Sequence, residues 1–465
     1  MKNAKRLFAA LLALVMIGAM LVGCHDSSVD RHYNSPTPSN SKQPESSKQP
    51  EISAQPDNSK QPDSSDQPDN SDQPGGGKIE YDPVAEVAPY LSRLPEMTDA
   101  DKKYVIQLGY NNCDHMVAAI IGQDAGIYEA LGLKVEITKT AQVSTAVAAG
   151  QFDAAYAGYT GSINSYNKGA DIVTLVGSHL GGARYFVVRD EVKALDQIKR
   201  LTISETSMVN PEWLRFSSEL GINSDYSLYE GASMGQEDSL VALKAEQIDG
   251  IFVCDPYASI AELDDFGFII DVAWGSLSKD LGIGWGQCCN EIYYRGFVDE
   301  HPALVARMVL AHCLATQYMY IHPYNAGLMF ADTFGTTADV GLRTMYLKTN
   351  AEGRTMNWEI SPQNIKNMCE YRKHWDIPEA EWPMIRRGDL EDFFDLTYLE
   401  RYGTGSIEEF LEKSGVKEIF PDGMAYKDWL EVAETRDGIP HDSMVGKTVQ
   451  KWMDGAVITQ LPATS

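Results

Sequence analysis

The stretch from Val105 to Gly161 constrains the fold most, because it reads as strand, helix, strand, helix, strand, with a turn residue closing each piece. Val105, Ile106 and Leu108 form an apolar run ending at Gly109. After the polar turn from Asn111 to His115, the apolar residues Val117, Ile120, Ile121, Ile127 and Leu131 recur at helical spacing, which predicts one helix running up to Gly132. The period then falls to two. Leu133, Val135 and Ile137 alternate with Lys134, Glu136 and Thr138, as in a strand with one covered face. A small helix is expected from an N-cap at Ser144 to Gly150, and Phe152 to Ala157 reads as another buried strand before Gly158. Strands alternating with helices in this way predict a βαβ lobe.

Apolar runs continue at Ile172 to Val176, Tyr185 to Val188, Leu201 to Ser204, Ile248 to Val253 and Phe268 to Val272, so the α/β pattern extends well past the first lobe. Pro302 to Ile321 opens with proline and carries Leu304, Val305, Met308, Val309 and Leu314, which suits a helix packed back onto lobe one. From Tyr324 onward, Trp358, Trp375, Phe393, Phe394, Trp429 and Trp452 are too many large apolar residues for a disordered tail. This region is expected to be mostly helical and to wrap the lobes.

Three phrases in this framework carry a family resemblance. They are Gly126-Ile127-Tyr128-Glu129-Ala130-Leu131-Gly132-Leu133-Lys134-Val135-Glu136, Ala149-Gly150-Gln151-Phe152-Asp153-Ala154-Ala155-Tyr156, and Leu243-Lys244-Ala245-Glu246-Gln247-Ile248-Asp249-Gly250-Ile251-Phe252-Val253-Cys254-Asp255-Pro256-Tyr257. They resemble the solute-binding proteins of nitrate/sulfonate/taurine-type ABC importers, over roughly Tyr104 to Tyr320. The resemblance implies an α/β, two-lobed, periplasmic-binding-protein-like fold (type II) with a helical C-terminal extension. It places the two-lobed domain at 78–323, with lobe one at about 104–182 plus later helices and lobe two at about 184–286. The extension is then 324–465, packed on the lobes.

The ends of the chain add a location. Lys2, Lys5 and Arg6 precede an apolar run from Leu7 to Met20, shorter than the ~20 residues needed to span a bilayer and laid out like a secretory signal. The run closes on Leu21-Val22-Gly23-Cys24, which resembles a bacterial lipobox, so residues 1–23 are expected to be cleaved and Cys24 lipidated. Two or more acyl chains would anchor the protein stably. From 24 to 77 no apolar residue repeats, and Gln-Pro recurs every six residues at Gln43, Gln49, Gln55, Gln61, Gln67 and Gln73. Such a segment cannot bury a core and reads as a disordered tether spanning about 40 Å root-mean-square. The chain carries 66 acidic against 39 basic residues, net −27, so nucleic acid is not an expected partner. The expected location is extracytoplasmic, lipid-anchored to a bacterial cell membrane.

In a doubly wound sheet the ligand crevice lies beyond the carboxyl ends of the strands, where helix N-termini present free amides. Lobe one offers Asn111, Asn112, Asp114, His115, Tyr159, Thr160, Gly161 and His179 at such positions, and lobe two offers Thr206, Ser207, Asp255, Tyr257 and Trp285. The resemblance implies that these are ligand-contacting loops. Thr160, Thr206 and Ser207 suit an oxyanion, whereas Asp114, Asp255 and the aromatic residues Tyr159, Tyr257 and Trp285 suit a zwitterionic or heterocyclic amine. The solute is therefore open between a sulfonate-, taurine- or nitrate-like anion and a thiamine-pyrimidine-like heterocycle.

Cys113, Cys254, Cys288 and Cys289, with His115 and His179, fall near the same loops and are candidate metal ligands, although no C-x-x-C or H-E-x-x-H spacing fixes a set. Disulfides are the other reading, and Cys313 lies within an apolar helix. No cofactor and no catalytic residue are expected. The partners implied are a small solute, an ABC permease with its ATPase and, through the lipid anchor, the membrane, with the protein monomeric. The alternatives are a metal-binding or pyrimidine-synthase-like enzyme on the same fold, and a tethered sensor or adhesin ectodomain.

Overall fold

A computed structural model describes residues 80–111, 113–140, 142–181, 184–203, 211–272, 287–361, 365, 373, 384–437 and 461–463. Ten strands lie among them: β1 (Ile106–Tyr110), β2 (Val135–Lys139), β3 (Ala154–Gly158), β4 (Ile172–Leu180), β5 (Tyr185–Arg189), β6 (Arg200–Leu201), β7 (Glu230–Gly231), β8 (Gly250–Val253), β9 (Gly267–Val272) and β10 (Gln287–Tyr294). They form two five-stranded sheets, ordered β2-β1-β3-β10-β4 and β7-β6-β8-β5-β9. The first three strands of the first sheet are parallel, as the βαβ pattern requires, and β10 returns antiparallel between β3 and β4. In the second sheet β6 is parallel to β7 and β8, and β5 runs antiparallel between β8 and β9.

The strands form where apolar residues can be covered. In β1 and β3, Ile106, Leu108, Ala154 and Ala155 are fully buried, and in β2 partly buried Val135 and Ile137 alternate with exposed neighbours. Burying each of the larger side chains stabilises the lobe by roughly 1.5–3 kcal/mol. Two local expectations are corrected. The single helix predicted after Val117 is two, Ala118–Asp124 and Ile127–Ala130, because Gly126 adopts φ 76°, a left-handed conformation that interrupts the helical ladder. The small helix is Val143–Ala148, so Ser144 lies inside it and Gln142 occupies the N-cap position.

Helix Pro302–Ile321 has the predicted bounds and is buried on all sides. One side lies on helix Ala118–Asp124 of the first lobe, and helix Thr397–Tyr402 of the C-terminal region covers another. That region is mainly helical, as expected, with Pro323–Phe334, Ala338–Tyr346, a π-helical turn at Leu347–Ala351 and Tyr426–Asp437 among its elements. Trp358, Phe393, Phe394 and Trp429 from it are buried in the hydrophobic cores. Trp375 and Trp452 lie outside the described residues. No described helix is long and apolar enough to cross a membrane.

Candidate functional site

A cleft of about 610 Å³ opens where strands of both sheets end. Asn111 follows β1 and Lys139 closes β2, so one wall comes from the carboxyl edge of the first sheet. The opposite wall comes from the second sheet and its helices: Thr202 after β6, Phe252 in β8, Tyr257 after β8, and Trp213 and Phe216 on helix Pro211–Leu220. Gly235 to Ser239 present the first turn of helix Gln236–Lys244, and Arg184 sits at the crossing into β5.

The lining combines two cations, two acids and an aromatic floor. Lys139 and Arg184 line the cleft together with Glu237 and Asp238. Arg184 is oriented by donating its Nη1 to the carbonyl of Phe252 at 2.9 Å. Trp213 donates its indole N–H to the carbonyl of Ser224 at 2.9 Å and packs edge-on against Phe252, so it is both core and cleft wall. Such a surface can bind a molecule carrying charges of both signs and a flat or apolar part.

Of the expected ligand contacts, Asn111 and Tyr257 line the cleft, whereas Asp114, His115, His179 and Asp255 are buried and do not line it. The reason is a partner that sequence spacing does not reveal. Lys348, from the π-helical turn, inserts its ammonium between Asp114 Oδ2 at 2.8 Å and Glu352 Oε1 at 2.7 Å. His115 Nε2 lies 3.0 Å from Asp114 Oδ1, and His179 Nε2 lies 2.9 Å from Thr355 Oγ1. Tyr185 donates its hydroxyl to Glu352 at 3.2 Å. Asp255 accepts from the backbone N–H of Ser259 at 3.0 Å and from its hydroxyl at 2.9 Å, while Asp114 donates its N–H to the Asp255 carbonyl at 3.3 Å. The network thus joins the first sheet, the second sheet and the C-terminal helices.

The charges follow from these contacts. Burial opposes ionisation of Asp114, yet His115 and Lys348 hold its carboxyl down at about 2. Burial likewise opposes charge on His115, and Asp114 overrides it, raising the imidazole well above its ordinary value. Asp255 moves to about 6, because burial and the nearby Asp114 outweigh Arg343 and Lys348. Cys288 is lowered, first by its hydrogen bond with Cys289 and, against burial, by the imidazoles of His115 and His179.

The remaining candidates divide. Tyr159 is buried, stacked on Phe394 at 6.4 Å, and Thr160 and Gly161 are exposed on the first turn of helix Tyr159–Asn167, outside the cleft lining. Asn112, Thr206, Ser207, Trp285 and Cys24 lie outside the described residues. Among the thiols, Cys113 and Cys254 are buried, with Cys113 and burial raising the Cys254 thiol well above its ordinary value, and Cys313 is buried in the hydrophobic core. Lys139, Thr202 and Gln236 were missed. Their signal was position alone, each standing at a strand end or helix start.

Two sheets meeting at a cleft, each contributing a wall from its strand ends, define a two-lobed binding-protein fold. Residues 99–331 match the NMT1-like family, and the chain belongs to it. The fold is similar to that of the ligand-binding component of an ABC-type import system from Staphylococcus aureus, solved with zinc bound: 14% identity, TM-score 0.52, 64% of this chain and 99% of that one covered. A protein from Bordetella bronchiseptica RB50 is 16% identical with a TM-score of 0.51, covering 68% of this chain and 99% of its own. The periplasmic aliphatic sulphonate binding protein SsuA from Escherichia coli is 15% identical with a TM-score of 0.46, covering 58% and 86%. No curated protein matches the sequence at a significant level.

Proposed function

We propose that this protein is an extracytoplasmic solute-binding lipoprotein of an ABC importer, which closes its two lobes on a small solute and hands that solute to a permease. The observation that carries the proposal is the cleft, which is lined from both sheets by Lys139, Arg184, Glu237 and Asp238 over aromatic walls. The mix of charges favours a zwitterionic or heterocyclic solute over a strongly anionic one, with Asn111 and Tyr257 as direct contacts. Asn112, Thr206, Ser207 and Trp285 are proposed as further ligand contacts. Asp255 and His179 act beneath it, holding the lobes in register.

In this reading residues 1–23 are a signal peptide, Cys24 carries the lipid, 24–77 form the tether, 78–323 the two-lobed domain and 324–465 the extension. The protein works as a monomer and leaves the solute chemically unchanged, since transport is driven by the partner ATPase. Closure is stabilised only to the extent that solute binds the closed form better than the open one. Calorimetric titration of the full chain with taurine, short alkanesulfonates, nitrate and aminopyrimidines tests the proposal. One of these should bind saturably at one site and lose affinity in Lys139→Ala. If the bound compound keeps its affinity in both Lys139→Ala and Tyr257→Ala, the cleft is not the site.

A further inference from the structure

We propose that Cys288, Cys289 and His115 form a binding site for one thiophilic divalent cation of the zinc type, separate from the solute cleft. The sulfurs of Cys288 and Cys289 lie 3.8 Å apart, and Nδ1 of His115 lies 3.5 Å from Cys289 Sγ. A tetrahedral zinc with Zn–S of about 2.3 Å and Zn–N of about 2.0–2.1 Å would set its ligand atoms ~3.8 Å (S to S) and ~3.6 Å (S to N) apart. The protein already holds these spacings, and all three ligand atoms fall within 4.8 Å of one another. Two thiolates and a neutral imidazole around a divalent cation give a locally neutral cluster, which suits burial.

The surroundings match what a metal-bound histidine needs. A ligating imidazole usually donates its other N–H to a carboxylate, which fixes tautomer and ring orientation. Nε2 of His115 lies 3.0 Å from Asp114 Oδ1, an ion-pair contact outside hydrogen-bond geometry, and the Asp114 carboxylate is itself held by Lys348 at 2.8 Å. Nδ1 faces Cys289 Sγ at 3.5 Å, and a cation bound there would displace the proton of the imidazolium. A second, independent observation points the same way. His179 is fully buried and stacks on His115 at 4.3 Å, and its Nδ1 has no hydrogen-bond partner among the described residues while its Nε2 is tied to Thr355. Cys288, half-buried where its neighbours are buried, gives the cation a way in. None of the three ligands lines the solute cleft.

The test uses the full chain, reduced and freed of metal with a chelator, then titrated with cobalt(II) as a spectroscopic probe and with zinc in competition. One equivalent of cobalt should give a sulfur-to-metal charge-transfer band with the strong visible bands of a tetrahedral site, and zinc should abolish both. Cys288→Ser and Cys289→Ser should each weaken binding at least tenfold and reduce the band. Asp114→Asn should keep the band and weaken binding by about 10–100-fold. A band absent from the wild type, or one surviving unchanged in the Cys288→Ser/Cys289→Ser double variant, overturns the proposal. Should the variants fail to fold, alkylation of the wild type decides: zinc must protect Cys288 and Cys289 from iodoacetamide, and equal labelling with and without zinc overturns the site. A Cys288–Cys289 disulfide that takes up no metal after reduction also overturns it.

Discussion

The ammonium of Lys348 lies 2.8 Å from the carboxylate of Asp114, with both side chains fully buried. Asp114 belongs to the turn after β1 and Lys348 to a helical turn far along the chain, so this one contact ties the C-terminal region to the base of the cleft. Removing one member of a buried pair leaves the other charge uncompensated, at a cost of about 3–5 kcal/mol. Lys348→Met should therefore lower the unfolding free energy by roughly that amount. Urea denaturation followed by tryptophan fluorescence reads it, and a loss below about 1 kcal/mol would show that the pair is not central to stability.

Asp255 and Tyr257 are neighbours with different expected phenotypes. Tyr257 lines the cleft, so Tyr257→Ala should weaken solute binding about tenfold, or ~1.4 kcal/mol, with little change in stability. Asp255 receives the N–H and hydroxyl of Ser259 in a fully buried position, so Asp255→Ala should destabilise the fold by about 1–3 kcal/mol. Melting temperature and affinity measured on both variants separate the roles, and a reversed pattern would move the cleft.

A buried acid in the first sheet should make stability depend on pH. Burial raises the carboxyl of Glu291 to about 8, against the opposing hydrogen bond from Tyr293 at 2.7 Å. The folded state thus keeps a proton that the unfolded chain has released. Stability is fully present below the ordinary carboxyl value of 4.5 and is lost as pH rises towards about 8, by on the order of several kcal/mol. Glu291→Gln should flatten this part of the profile. Denaturation midpoints between pH 5 and pH 8 that are equal in wild type and variant would contradict the assignment.

In the proposed function, Cys24 carries the lipid anchor. Cys24→Ala should appear in the culture medium instead of the membrane fraction. Persistence of the variant on membranes after a high-salt wash would require another anchor.

Much of the fold was legible because it is locally encoded. The apolar runs of β1, β3, β5 and β9 and the proline-started helix at Pro302 all carry their own pattern. β10 was not read as a strand, because its sequence Gln287-Cys288-Cys289-Asn290-Glu291 looks polar and its burial comes from lying between β3 and β4. The site was legible only at strand ends. Asp114, His115 and Asp255 looked like ligand contacts because acids and imidazoles usually avoid the interior, and their countercharges Lys348 and Arg343 come from a distant segment that no periodicity links to them.

The central claim, capture of a small solute without chemistry, is tested most directly by native mass spectrometry of the full chain purified from cells, followed by denaturation and analysis of the released molecule. The account predicts one small organic molecule per chain, which rebinds unchanged after removal and is recovered intact after prolonged incubation. Recovery of a chemically altered product from that incubation would contradict it and make the protein an enzyme.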